Sequence, residues 1–340
     1  MASRKQSLRT AIGILLSALF IYLAFRQVDF NQMAHSFRSA NYWYLFPTLF
    51  IVFLSHYLRA LRWRYFLDPI LRLDMGSLFS SLMVGYAANV VMPAHLGEFV
   101  RAHMLSRRRP ISMGCAFATI VVERIIDVFT LIVLLGVSML IHPFPSWVVA
   151  GGYVMLGGAV LLFGALALSK KHEAQALKAL RFFIKPLPLG LTEKLLSWAG
   201  RFLSGIAPLQ RRVDYLVVAV LSVLIWLCYG LVFHFCLYAF DFVEVYNLAW
   251  YVALVLLVIT TISVVVPSSP GYVGTFHYLT QLGLGLFGVP AAPALSYAAV
   301  VHAVCFLPVF LAGLALANHE GMRMRKMEVA VAGEEGACEK

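Results

Sequence analysis

Charge is scarce in this chain. Asp, Glu, Lys and Arg make up 13% of its 340 residues while apolar types make up 61%, against roughly a quarter charged in an ordinary globular domain. The charges that exist, a net +11, sit in short islands rather than along one exposed face, which excludes a nucleic-acid-binding basic domain. The five cysteines, Cys115, Cys228, Cys236, Cys305 and Cys338, have no metal-ligand or redox spacing. Four of them lie in apolar segments, where thiols are packing residues. Neither HExxH, a DxD pair nor a nucleophile elbow occurs, so no catalytic residue and no cofactor or metal site is assigned.

Long uncharged stretches are what the chain does have. No Asp, Glu, Lys or Arg occurs from 75 to 95, 128 to 169, 215 to 240 or 245 to 319, and about 20 such residues suffice to cross the ~30 Å hydrocarbon layer as a helix. The sequence therefore predicts an all-α, polytopic integral membrane protein. Full spans are expected near 8–25, 42–58, 113–141, 147–168, 215–240 and 294–317. The first follows Arg4, Lys5 and Arg9 and has no small-residue cleavage site, so it reads as an uncleaved span rather than a secretory signal.

Basic loops stay on the cytoplasmic side. By that rule the amino terminus lies inside, and Arg59, Arg62 and Arg64 read as the inner flank of the second span. The stretch from Lys170 to Arg212, with nine Lys or Arg and two Glu, is the strongest inner loop. Within it, Leu177, Leu180 and Ile184 share a helical face, as do Leu195, Ala199 and Phe202, with Lys178, Arg181, Lys194 and Arg201 elsewhere around the helix. That pattern suits surface helices on anionic lipid, with a soluble helical hairpin as the alternative. The Gly, Glu and Ala mixture from 318 to 340 reads as a disordered cytoplasmic tail.

Two interruptions share one pattern. VMPAHLG (91–97) and VVPSSPG (265–271) each hold two apolar residues, a proline, three residues and a glycine. Proline removes a backbone donor and glycine opens otherwise forbidden angles, so each ends one helix and starts another. From Pro93 to the arginines at 107–109 there are only about a dozen residues, roughly 18 Å of helix. The segment thus turns back rather than crossing. The first break is approached from inside and the second, after the outer Asp241 and Glu244, from outside. For 272–289 a full crossing and a re-entrant hairpin both fit. Paired, oppositely directed broken helices mark inverted-repeat transporters, whose substrate sites lie near the midplane. Pro93, Gly97, Pro267 and Pro270 are the expected structural breaks. Ser268, Ser269 and Gly271 are expected to offer caps and free N–H groups to an anion such as a phosphate.

Ionisable residues cluster beside the breaks. Glu98 and Arg101 stand three apart; Glu123, Arg124 and Asp127 lie deep in the next span, where each costs about 3 kcal/mol on insertion scales. Two readings stand together: a structural knot, pairing Glu98 or Asp127 with Arg124 and Arg101 with Glu123, and a substrate site in which Arg101 and Arg124 hold a lipid phosphate. His95, His103, His277 and His302 read as hydrogen-bonded packing residues.

PAHLGEFVRAHML, ERIIDV and VPSSPGYVGTFHYL resemble the three marker regions of the lysylphosphatidylglycerol synthase transmembrane, or flippase-like, family of bacteria and archaea. The likeness extends over about residues 8–317. Pro93, Gly97, Glu98 and Arg101 match its first motif, but Ala94 and His95 stand where the family has glycine and arginine, removing one cation. Glu123, Arg124 and Asp127 match the second motif, and Pro267, Ser268, Pro270, Gly271 and Gly274 the third. The resemblance implies movement of a modified lipid between leaflets of the cytoplasmic membrane: an aminoacyl phospholipid, a glycolipid or a polyprenyl-linked sugar. Without room for a synthetase domain, the expected partners are membrane lipids and a separate synthetase or glycosyltransferase. Rival readings are a lipid-headgroup transferase with Glu98 or Asp127 as base, an ion-coupled small-solute carrier, and a scaffold for lipid synthesis.

Overall fold

The computed structural model describes residues 19–26, 28–92, 96–207, 209–265 and 270–338. They are helical almost throughout, with no strand among the described residues. A short helix α1 (Phe30–Ser39), N-capped by Asp29, precedes α2 (Leu45–Leu67). Next come α3 (Met75–Val91) and α4 (Gly97–Arg108), the long α5 (Met113–Ile141), α6 (Ser146–Lys171), α7 (Glu173–Ile184) and α8 (Leu189–Gly205). The chain closes with α9 (Arg212–Ala239), α10 (Val252–Val265), a single 3₁₀ turn at Pro270–Tyr272, α11 (Thr275–Gly285) and α12 (Ala291–Cys338).

The segments 42–67 and 291–319, with α6 and α9, are long and apolar enough to cross a membrane. The 29 residues of α5 reach about 43 Å at 1.5 Å per residue. By contrast α3, α4, α10 and α11, at 17, 12, 14 and 11 residues, reach about 25, 18, 21 and 16 Å, all short of the ~30 Å layer. They pair as two hairpins, α3 with α4 and α10 with α11. The segment 272–289 is therefore the returning limb of a hairpin. Three long helices, α5, α6 and α9, separate the two hairpins in the chain, the odd number that an inverted arrangement requires. Helix α12 continues to Cys338, beyond the expected start of an unstructured tail; its Met, Arg, Lys, Glu and Ala are good helix formers.

Packing repeats the symmetry of the chain order. In one half, α2 leads into the α3–α4 hairpin and then α5; in the other, α9 leads into the α10–α11 hairpin and then α12. Helices α2 and α9 pack on each other, α3 packs on α12, and α10 packs on α5 in the same relation. Small residues permit these approaches, as in other membrane bundles. A Cβ on Gly97 would run into the Gly85 carbonyl oxygen across the first hairpin, and one on Gly313 would lie 2.5 Å from the Met83 carbonyl oxygen of α3. The foot of the first hairpin is tied by Asp74, which caps α3 through the Ser77 N–H at 2.9 Å and pairs with Arg109 at the end of α4.

The basic loop departs from the lipid-facing expectation on one side. Trp198 and Phe202 of α8 pack against Phe117 of α5, whose ring also stacks on Phe99 at 4.3 Å. Gly114 and Gly205 let the two backbones come close. The Phe202 face is thus turned to protein, while Phe182, Phe183 and Leu189 remain exposed. Arg181 and Glu193, 3.0 Å apart, join α7 to α8.

Candidate functional site

An ionic cluster ties α2, α4 and α5 together, and it is larger than the sequence suggested. Glu123, fully buried, meets Arg59 at 2.9 Å, Arg62 at 3.4 Å and Arg101 at 2.9 Å. Asp127 meets Arg59 at 3.0 Å, Arg62 at 2.7 Å and Arg124 at 3.4 Å. Glu98 meets Arg124 at 3.2 Å. The expected pairings, Arg101 with Glu123 and Arg124 with Glu98 or Asp127, are present, Arg124 meeting both carboxylates.

Arg59 and Arg62 are the correction. They do not flank a span that ends at 58: α2 runs on to Leu67, and the two side chains are 5% and 0% exposed. Only Arg64, paired with Asp68 at 3.8 Å and 42% exposed, behaves as a flank. The available signal was a stripe of polar residues at three- and four-residue spacing, Ser55, Arg59 and Arg62, running up an otherwise apolar helix. Arg62 also donates to the Ser222 hydroxyl on α9 at 2.9 Å, and Arg59 to the Tyr229 hydroxyl. Arg101 lies 3.8 Å over the Trp63 ring, whose indole N–H donates to Thr119 at 2.9 Å.

Beside this cluster lies a cavity of about 490 Å³, within the range of small-molecule sites. Glu98, Arg124, Asp127 and Arg59 line it, with His56, Tyr86, Asn89 and Tyr229; Thr260, Thr261 and Tyr272 come from the second hairpin region. Apolar side chains such as Val52, Leu131, Phe233, Leu257 and Phe306 complete it. Glu123 and Arg101 are not in the lining; they stand behind it, buried in the knot.

The two hairpins meet at this cavity. Gly271 sits with its Cα–H side toward the Val90 carbonyl, such that an added Cβ would lie 3.4 Å from that oxygen. Its φ of +66° is a left-handed angle that glycine adopts without strain. The His302 Nε2 is 2.7 Å from the Gly271 carbonyl oxygen, which it satisfies as a donor, and the His302 ring lies 4.8 Å from that of His277. Both are packing histidines. On the first hairpin, Asn89 Oδ1 accepts the Gly97 N–H at 2.8 Å, closing the turn from within. Pro93, His95, Pro267, Ser268 and Ser269 lie outside the described residues, as does the Pro270 side chain.

Comparison with known proteins places the chain. A 126-residue segment is 30% identical to glycosyltransferase AglD of Haloferax volcanii, covering 37% of this chain and 20% of that protein. A 134-residue segment is 31% identical to a UPF0104 membrane protein of Methanothermobacter thermautotrophicus, covering 38% of each. A UPF0104 membrane protein of Methanocaldococcus jannaschii is 25% identical over 122 residues, 35% of this chain and 36% of that one. The chain thus matches between a fifth and two fifths of the length of these relatives. No solved structure matches it. The family model for the lysylphosphatidylglycerol synthase TM region matches residues 10–313; with the two hairpins and their ionic cluster in place, the chain belongs to that family of membrane proteins.

Proposed function

We propose that this protein is a lipid translocase of the cytoplasmic membrane, moving a lipid with a modified phosphate- or sugar-bearing headgroup between leaflets. The observation that carries the reading is the cavity: ionic and hydroxyl groups set among apolar side chains, at the junction of two helical hairpins. Non-helical backbone at membrane depth persists where it is buried in protein or lines a polar space. Alternating exposure of a central site by two inverted halves is the transport geometry such repeats support. The headgroup would sit beside Arg124, Glu98 and Asp127, in the cavity that Thr260, Thr261 and Tyr272 also line, with its acyl chains in lipid. A separate synthetase or glycosyltransferase would supply the modified lipid. The basic loop at 170–212 and the basic stretch after 321 would face the cytoplasm, as would both termini.

The test is reconstitution in liposomes with labelled aminoacyl phospholipids and glycolipids. Label gains access to the opposite leaflet faster than in protein-free vesicles if the reading holds; equal rates overturn it. The partial likeness to a glycosyltransferase favours a second reading, a lipid-headgroup transferase. In the same vesicles supplied with nucleotide sugars, a new lipid product detected by mass spectrometry would establish that one instead.

A further inference from the structure

One ion pair in the cluster is built differently from the rest. Arg59, Arg62, Arg101, Glu123 and Asp127 have side chains 0–9% exposed, and Glu123 and Asp127 each serve three or more guanidinium groups. Arg124 is 37% exposed, on the wall of the cavity, and among the described residues it is the single ion-pair partner of Glu98. Its Nε lies 3.2 Å from Glu98 Oε1 without the alignment of a hydrogen bond, and misaligned contacts are weak ones. Glu98 is the nearest carboxylate to Arg124 but not its sole support. Asp127 at 3.4 Å, the Tyr86 hydroxyl at 3.3 Å and Glu123 at 3.5 Å hold it from other sides.

The partners also lie on different helices. Arg124 belongs to α5, amid the buried knot. Glu98 is the second residue of α4, immediately after the first hairpin's tip, between the exposed Leu96 and Phe99. Four guanidinium groups (Arg59, Arg62, Arg101, Arg124) face three carboxylates (Glu98, Glu123, Asp127), so the cluster carries one surplus positive charge with Glu98 in place. A phosphodiester carries one negative charge, as Glu98 does. Replacing one by the other at Arg124 leaves the balance there unchanged, and guanidinium matches phosphate at least as well as carboxylate.

We propose that Glu98 holds the place of a ligand anion: a phosphate group entering the cavity takes Arg124 from Glu98, and the released carboxylate frees the first turn of α4. Arg124 is then the anion site, Glu98 its internal competitor, and the pair couples occupancy of the cavity to hairpin movement. The inference rests on the translocase reading for its source of phosphate, a lipid headgroup; free phosphate has the same chemistry and is separated by the test.

Binding is measured on the purified protein with short-chain phosphatidylglycerol, inorganic phosphate and short-chain diacylglycerol as probes. Glu98→Gln, nearly isosteric, should bind the phosphatidylglycerol about tenfold more tightly than the parent, equivalent to 1.4 kcal/mol, and Arg124→Gln should lose the binding, with diacylglycerol inert throughout. The result that overturns the proposal is a Glu98→Gln affinity equal to or weaker than the parent's. Inorganic phosphate competing as well as the lipid supports the anion site but assigns it to free phosphate. A second readout leaves Glu98 intact: thiol labelling of Leu96→Cys should speed up several-fold when short-chain phosphatidylglycerol is added, and an unchanged rate counts against the exchange. If the parent moves no lipid in vesicles while the affinity order holds, the translocase reading falls and the exchange stands. If lipid moves but Glu98→Gln binds as the parent does, the reverse follows.

Discussion

Glu123→Gln tests whether the deep part of the ionic cluster is structural. Glu123 is fully buried and sits 2.9 Å from Arg59, 2.9 Å from Arg101 and 3.4 Å from Arg62. Arg59 and Arg62 keep Asp127 when it is neutralised, but Arg101, 2% exposed, loses its carboxylate partner among the described residues. The cluster then holds four guanidinium groups against two carboxylates. Leaving one buried charge uncompensated costs about 3–5 kcal/mol, roughly a fifth or more of a stability of roughly 5–15 kcal/mol. At about 2–3 °C per kcal/mol for a chain of this size, the melting temperature should fall by roughly 10 °C. The assay is thermal unfolding in detergent, followed by tryptophan fluorescence or by recovery of the monodisperse peak. Arg101→Met with Glu123→Gln removes the orphaned charge and should recover part of the loss, a coupling of about 1–3 kcal/mol. A Glu123→Gln protein that melts with the parent, or a double variant no better than the single, refutes the reasoning.

Further expectations concern backbone approach and the hairpin's foot. Gly97→Ala places a methyl against the Gly85 carbonyl and should lower the yield of folded protein, read by size-exclusion chromatography, whereas Gly136→Ala, at a site with open space around it, should not. Gly313→Leu drives a side chain into Met83 and Ala87 of α3; it should separate α12 from the first hairpin, seen as faster hydrogen exchange in 83–91. Asp74→Ala removes the cap of α3 and should cost about 1 kcal/mol, measured by thermal unfolding. Burial pushes the Asp74 carboxyl up, but the Ser77 N–H and hydroxyl and the Arg109 guanidinium outweigh it and hold the carboxyl below its ordinary value. Its contribution is therefore present above the unfolded value of about 3.9 and lost as pH falls through the lowered one; amides 75–78 should exchange faster only at the acidic end of a pH series, after correction for intrinsic rates.

The spans beyond residue 40 and the first hairpin were legible in the sequence because their causes are local; the first span, at 8–25, lies mostly outside the described residues, and for 272–289 the sequence left a full crossing open. An uncharged run of sufficient length and a proline followed four residues later by glycine state their own consequences. The need of buried charges for partners also gave the pairs of Arg101 with Glu123 and of Arg124 with Glu98 or Asp127 as one of two readings. The rest depends on partners far apart in the chain. Whether Arg59 and Arg62 sit at a water boundary or inside a bundle is decided by Glu123 and Asp127, more than sixty residues away. A charge-counting rule applied to one loop sends such arginines to the surface. The orientation of α8 was hidden for the same reason: the Phe202 face is apolar whether it meets lipid or Phe117.

The two halves share a topology but not a chemistry, and the difference predicts how they behave. All seven members of the ionic cluster lie on α2, α4 and α5, cross-linking one half. The corresponding helices of the other half, α9, α10, α11 and α12 as far as His319, contain no Asp, Glu, Lys or Arg between 215 and 240 or between 245 and 319. Apolar contacts have no preferred direction and change little when surfaces slide within lipid, whereas a buried ion network has one arrangement and a large cost for leaving it. The α3–α4 hairpin is pinned through Arg101 and Glu123; the α10–α11 hairpin is held by side-chain packing and by the His302 contact to the Gly271 carbonyl. Hydrogen exchange in detergent or nanodiscs should therefore find amides in 275–285 opening faster than those in 98–105, in helices of similar length. Equal protection in the two returning limbs, or slower exchange in the second, would mean that the ion network does not set the rigidity of its half, and that the hairpin carrying Glu98 is no firmer than its uncharged counterpart.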